Sequence, residues 1–329
     1  MMERLNADPI VKLSPAFKDY LWGGTRIREQ FNKESNMSII AESWELSAHP
    51  DGESRVADGE FTDFTLSEYI KAVGKEVLGT KAEGFEKFPL LVKLIDAKKP
   101  LSVQVHPGDD YALRVEGEYG KNEMWYIADA EPGAYIYYGL SAEISKDEIR
   151  KRIEEETLEE VLNKVEVKTG DTFYVKAGTI HAIGSGSLIC EIQQSSNSTY
   201  RMYDYGRRDK DGNLRPLHID KALDVIDIEL NVQAAKNGPV KGEKMPGNFI
   251  KLVESPYFTT DLYKGNSAAV IKADESSFVA LVVLKGEGEL FASDGNQVHR
   301  YRPGDTFFVD AGNREIMING ATEFLIVRI

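Results

Sequence analysis

Two stretches of this chain carry the same alternation of apolar and polar positions. Gly170-Asp171-Thr172-Phe173-Tyr174-Val175-Lys176-Ala177-Gly178 returns as Gly304-Asp305-Thr306-Phe307-Phe308-Val309-Asp310-Ala311-Gly312, with seven of nine positions identical. Each copy reads as a Gly-Asp turn, an alternating strand, and an Ala-Gly turn into another strand. The copies then diverge, Thr179-Ile180-His181-Ala182 against Asn313-Arg314-Glu315-Ile316, so that Glu315 stands where the first copy has His181. Between the strands the period changes. Thr65-Leu66-Ser67-Glu68 is a capping box followed by Tyr69, Ile70, Val73, Val77 and Leu78 on one face, which predicts a helix over 65–80. Ser145-Lys146-Asp147-Glu148 opens a second, over 145–165, with the stripe Ile149, Ile153, Leu158, Val161, Leu162 and Val165 and a solvated face at Glu154-Glu155-Glu156. A third, short helix is expected over 218–227. Residues 236–247 are polar and rich in Gly and Pro, which marks a linker.

Turn–strand–turn units of this kind suit a jelly roll of the cupin type. The pattern therefore predicts a mainly β protein of two cupin-type jelly-roll barrels, with short helical insertions packed outside the first. Residues 1–235 form the N-terminal, catalytic unit in this reading. Residues 236–329 form a second barrel that keeps the scaffold but loses a metal ligand at Glu315.

A length of 329 residues fits two domains. A formal charge of −14, from 40 basic and 54 acidic residues, argues against a nucleic-acid partner and leaves a small anionic substrate open. The single cysteine, Cys190, lies in the apolar run Ser187-Leu188-Ile189-Cys190; it reads as a core residue and fits a reducing compartment. Met1 to Asn6 lack the apolar stretch of a signal peptide, and no run is long and apolar enough to span a membrane. The expectation is a cytoplasmic protein with no membrane partner, monomeric because no large apolar stripe is evident. No Gly-rich phosphate loop is present, which speaks against a kinase or a nicotinamide enzyme.

The chemistry centres on Pro100-Leu101-Ser102-Val103-Gln104-Val105-His106-Pro107. On a strand, Ser102, Gln104 and His106 share one face and Leu101, Val103 and Val105 the other. With Glu123, in Lys121-Asn122-Glu123-Met124-Trp125, and His181 from the repeat, they can offer two imidazoles, a carboxylate and an amide oxygen to one cation. Such a set suits zinc with room for water or substrate. Singly, each residue is as well explained otherwise: His106 or His181 as a hydrogen-bonded core histidine, Glu123 as an ion-pair partner of Lys121 or Arg114. Joint occurrence favours the metal.

Over nearly its whole length the chain resembles the type I mannose-6-phosphate isomerases, in their compact bacterial branch. The resemblance runs through Tyr20-Leu21-Trp22-Gly23-Gly24, Ala41-Glu42-Ser43-Trp44-Glu45, Ala48-His49-Pro50, Phe88 to Pro107, Lys121 to Met124, Gly178 to Ala182 and Glu191 to Arg201. It implies one zinc per chain on Gln104, His106, Glu123 and His181, and a phosphosugar substrate passing between mannose and fructose 6-phosphates through an enediol. By the same matching Lys93, Ser102, Lys121, Glu191 and Arg201 serve substrate binding or catalysis. Lys93 and Ser102 suit the phosphate, Arg201 the reacting carbons or the phosphate, and Lys121 and Glu191 are acid–base candidates with a structural ion pair as the competing role. Trp22 either lines the sugar pocket or belongs to the core. Two positions depart from longer members: Gly120 where a histidine is common, and Asn197 where an aspartate is common. His49 is expected near Trp44, His218 at the start of the third helix, His299 exposed beside Asp294-Gly295-Asn296, and Arg207-Arg208 in a solvated loop. The alternatives kept are a non-catalytic sugar-phosphate-sensing cupin and a cupin oxygenase; the latter would be expected to show His-x-His where this chain has Gln104-Val105-His106.

Overall fold

The computed structural model describes residues 8–208, 211–293 and 297–329; Met1 to Asn6 and Asp294-Gly295-Asn296 lie outside them. Four antiparallel sheets form two jelly rolls. The first pairs a six-stranded sheet, ordered Thr172–Val175, Glu123–Ala130, Ser187–Gln194, Leu90–Ala97, Glu42–Ser47 and Ala16–Lys18, with a five-stranded one. That sheet runs Tyr200–Tyr203, Val103–Val105, His181–Ile183, Tyr135–Leu140 and Leu162–Glu166. Ile95, Trp125, Ile127, Ile136, Phe173 and Ile189 fill the space between them. The second roll faces an eight-stranded sheet with a four-stranded one over Leu281, Phe307, Ile316, Ile318 and Phe324.

Alternation within the repeat explains how the rolls join. Phe173 and Phe307 point into their own barrels, whereas Tyr174 and Phe308 point out, into a core shared by the two large sheets. There Phe278 stacks on Phe308 at 5.1 Å between centroids, with Phe88 5.3 Å from Phe278. Each large side chain so buried contributes about 1.5–3 kcal/mol. Cys190 is fully buried in this layer, and burial pushes its thiol pKa up.

The chain is also exchanged between barrels. Strand Ile10–Ser14 pairs with Thr306–Val309, Ile10 opposite Val309, so residues counted with the first unit complete a sheet of the second. Lys33 strengthens the joint: its buried ammonium lies 2.7 Å from Glu45 Oε2 and donates to the Gly304 carbonyl of the other barrel. Glu45 also accepts from Ser43 Oγ at 2.6 Å and Thr306 Oγ1 at 3.0 Å. Gly304 has φ +90, and a Cβ there would fall 2.2 Å from the Phe31 carbonyl oxygen, so only glycine fits this turn.

The helices differ in detail from the pattern. The capping box forms at Thr65 and Glu68, but helix Leu66–Val73 stops at Gly74, and Lys75–Leu78 is a separate 3-10 turn. Leu66, Tyr69 and Ile70 enter the inter-barrel core rather than covering the first barrel's outer face. Helix Lys146–Glu154 is capped by Ser145, yet the expected helix over 145–165 ends there. Leu158–Val161 is a 3-10 turn, and Leu162–Glu166 is an edge strand on Tyr135–Leu140, where ladder hydrogen bonds replace the helical ones. Ile219–Val225 is the third helix, with His218 at its cap. A further helix, Ile228–Asn237, capped by Asp227, runs into the segment read as a linker, which also holds strand Glu243–Met245. Ile149, Ile153, Ala222 and Leu223 cover the outer face of the five-stranded sheet. No described helix is long and apolar enough to cross a membrane.

Candidate metal centre and active site

Strand register brings the chemistry-bearing residues of the first barrel together. Gln104 stands directly opposite both His181 and Arg201, so the three share the inner face of the five-stranded sheet. On the facing sheet Glu191 lies between Lys93 and Trp125 in one cross-strand row, and Glu123 opposes Gln193 in the next. His106, Glu123 and His181 are each buried, with ligand atoms all within 4.8 Å of one another. His106 Nδ1 lies 2.9 Å from the Ser198 carbonyl and His181 Nδ1 2.8 Å from that of Thr179. Those acceptors require a proton on each Nδ1, which leaves both Nε2 atoms as lone-pair donors. The two Nε2 atoms face one another at 3.1 Å, with Glu123 Oε1 3.3 Å from His181 and Oε2 3.6 Å from His106. Glu123 Oε1 takes no hydrogen bond from a described group, and Oε2 has Lys121 Nζ at 2.9 Å as an ion-pair partner outside hydrogen-bonding geometry. The Lys121 ammonium meets the lone pair of His106 at 3.1 Å, which leaves that of His181 facing Glu123 Oε1; two imidazole nitrogens and a carboxylate oxygen so gathered are a donor set that fits a divalent metal.

The surrounding charges are buried and interlocked. Lys93 Nζ lies 3.4 Å from Glu191 Oε1, 3.7 Å from Glu42 Oε2 and 4.9 Å above the Trp44 ring. Trp125 Nε1 donates to Glu191 Oε2 at 2.9 Å, and Lys121 Nζ is 3.1 Å from His106 Nε2. Burial, with a smaller contribution from Lys121, takes the His181 pKa down to about 3; burial, Lys121 and His181 hold His106 well below its usual value. Both shifts favour the neutral imidazole. Burial and the neighbouring Glu191 push Glu123 up to about 8 against the pull of Lys121. Burial would raise Glu191 too, but Lys121, Lys93 and the Trp125 hydrogen bond outweigh it and hold it low. Burial would lower Lys93, but Glu42 and Glu191 outweigh it and raise it.

Ser102 is buried just before strand Val103–Val105. Trp22 packs in the barrel core with Ala41 and Ile95 and against Tyr20. Arg201 is half-buried: one NH2 group donates to the Pro216 carbonyl at 2.9 Å, and Nε takes no partner among the described groups. Burial, then the nearby Arg215, lowers its pKa. Arg207 is not in a solvated position. It pairs with Asp204, as Arg215 does, and donates to the Pro100 carbonyl, whereas Arg208 bonds Gly212 in the exposed loop. His49 meets Trp44 edge-on at 5.9 Å, and His218 accepts the Arg201 N–H at 3.1 Å. His299 is not exposed: a tenth of its side chain is, and Nε2 lies 2.8 Å from Asp8 Oδ2.

Several positions that hold this arrangement carry no sequence signal of their own. Asn231, fully buried, donates to the Gly178 carbonyl and accepts the Ile180 N–H, fixing the turn that delivers His181. Lys121 is held from both sides, Gly120 N–H donating to Asp109 and Asn122 N–H to Gln194. A cavity of about 1130 Å³ lies elsewhere, between the barrels. Its wall mixes Lys71, Lys75 and Lys87 with Glu83, Glu86 and Glu275, so its size does not point to the chemistry.

A cupin-type double jelly roll with a His–Glu–His cluster in one barrel defines the class. Residues 10–135 match the family of the phosphomannose isomerase type I catalytic domain. Mannose-6-phosphate isomerase ManA of Bacillus subtilis (strain 168) is 38% identical over 314 residues, covering 95% of this chain and 96% of the relative. Mannose-6-phosphate isomerase of Streptococcus mutans serotype c is 38% identical over 320 residues, covering 97% and 98%. The crystal structure of the mannose 6-phosphate isomerase from Bacillus subtilis superposes with a TM-score of 0.88 at 34% identity, over 97% of this chain and 99% of that one. This chain belongs to the type I phosphomannose isomerase family.

Proposed function

We propose that this chain interconverts mannose 6-phosphate and fructose 6-phosphate, using one zinc ion held by Gln104, His106, Glu123 and His181 in the first barrel. The observation that carries the reading is the pair of imidazole Nε2 atoms gathered beside Glu123. The names of the relatives supply the substrate. A bound zinc ion would act as a Lewis acid on the substrate's carbonyl and hydroxyl oxygens.

The chain's own residues do the rest. Aldose–ketose exchange moves a proton between C2 and C1, and Lys121 and Glu191 flank the ligand cluster as the groups able to carry it. Lys93 and Trp125 hold Glu191 in one orientation, which a proton relay needs. Arg201, on the face of Gln104 and His181, offers developing negative charge an Nε that has no partner among the described groups. Arg201, Arg207 and Arg215 gather around the single carboxylate of Asp204, an excess of positive charge that suits the phosphate together with Lys93 and Ser102. In the second barrel Glu315, at the position equivalent to His181, pairs at 3.9 Å with Lys272 on an exposed face; we assign that barrel no metal.

The test is a coupled assay of fructose 6-phosphate formation from mannose 6-phosphate, before chelation, after it, and after zinc is returned. Turnover lost to the chelator and restored by zinc is the expected result. Absence of turnover in folded, zinc-loaded protein refutes the assignment.

A further inference from the structure

We infer that Glu118 is a positioning residue for the ligand cluster, acting through the loop 195–199; the inference rests on the metal reading above. This loop joins the strand of Glu191 to the strand of Arg201, and its Ser198 carbonyl is the acceptor that fixes the tautomer of His106. The carboxylate of Glu118 gathers the loop from outside. Its Oε2 accepts from Ser196 Oγ at 3.2 Å, Asn197 N–H at 3.1 Å and Ser198 Oγ at 3.1 Å. Its Oε1 lies 3.3 Å from Nε2 of His49, whose Nδ1 accepts the Asp51 N–H at 3.1 Å. One side chain thus ties the turn at His49 to three successive loop residues, the last of which presents its carbonyl to His106.

The departures at Gly120 and Asn197 fit this arrangement. A Cβ at Gly120 would fall 2.5 Å from the Asp109 backbone nitrogen, so no histidine can stand there without moving that backbone. Asn197 donates its amide to Asp51 Oδ2 at 2.7 Å while its N–H goes to Glu118; an aspartate would set a third carboxylate against those two. With 28% of its side chain exposed and its described hydrogen bonds going to His49 and the loop, Glu118 acts on His106 through the loop.

Replacing an outer partner of a metal ligand typically costs about 10–100-fold in affinity. Glu118 stands one bond further out, so Glu118→Ala should weaken zinc binding about tenfold, near the lower end. Glu118→Gln keeps an acceptor oxygen for the three loop donors and should restore most of the loss. Zinc competition against a chromophoric chelator reads the affinity in the full chain. A second readout uses metal-free protein: the His106 Nδ1–H proton should give a slowly exchanging resonance that broadens or vanishes in Glu118→Ala and returns in Glu118→Gln. If wild-type protein binds zinc and Glu118→Ala binds it equally well, Glu118 does not position His106. If wild-type protein binds no zinc, the metal reading falls, and the resonance decides the role of Glu118: unchanged in the alanine variant, it overturns the inference.

Discussion

Replacing Lys33 by methionine isolates the charge that joins the two barrels. The substitution keeps most of the apolar stem of the side chain and removes an ammonium 2.7 Å from a carboxylate with no solvent exposure. Stripping one partner from a buried pair costs about 3–5 kcal/mol, because the other charge is left without compensation. Glu45 would retain the hydroxyls of Ser43 and Thr306, which places the cost near the lower end. Loss of the donor to the Gly304 carbonyl adds about 1 kcal/mol. The expected destabilisation is about 4 kcal/mol, a large part of the ~5–15 kcal/mol that holds a typical domain. Urea unfolding followed by fluorescence of the buried Trp44 and Trp125 measures it. Adding Glu45→Gln removes the stranded charge and should recover about 2 kcal/mol, a coupling of the size expected for residues in direct contact. A loss under about 1 kcal/mol in Lys33→Met, or no recovery in the double variant, would refute the view that this pair is desolvated and holds the barrels together.

Two further substitutions address the loops around the ligand cluster. Gly120→Ala forces its Cβ onto the backbone of Gly108 and Asp109, at 2.6 and 2.5 Å, and should cost about 2–3 kcal/mol while displacing the adjacent Lys121. Thermal unfolding and turnover should both fall, and an unchanged value of either would contradict the geometry. Asn197→Asp should destabilise by about 1 kcal/mol at low salt through repulsion from Asp51 and Glu118, an effect that 0.5 M salt should largely screen at a Debye length of about 4 Å. Equal stability at the two salt concentrations would show that the charges do not meet.

What the sequence disclosed was chiefly local. Period-two alternation placed Gln104 and His106 on one face because that inference needs only neighbouring residues, and the repeat marked Thr172–Val175 and Thr306–Val309 as equivalent strands for the same reason. Capping boxes marked where helices start, but not that Gly74 ends one early or that Leu162–Glu166 gains more from a neighbouring strand than from helical continuation. Features set by pairing at a distance left no local trace. Lys33 and Glu45 read as two ordinary charges among many until the Gly304 turn is folded over them. Arg207 looked like its neighbour Arg208, because only the left-handed turn at Tyr205 and Gly206 directs it to Pro100 and Asp204. Glu118 belongs to a plain acidic stretch, and its role depends on a loop some eighty residues later.

The pairing of Ile10–Ser14 with Thr306–Val309 also sets an order on biosynthesis. Strand 10–14 leaves the ribosome long before Thr306–Val309 exists; Leu13 and Ser14 can pair early with Val56 and Arg55, but the edge that takes Thr306–Val309 stays open while the first barrel is made. Closing so long a loop is slow, and an unsatisfied strand edge is a place where chains associate wrongly. The first barrel can close over its histidines before translation ends, but the second cannot finish until its last strand, Thr322–Arg328, which lies between Thr259–Gly265 and Val279–Gly286, has been made. Nascent chains stalled short of that point should therefore be protease-sensitive at both ends and resistant in the middle.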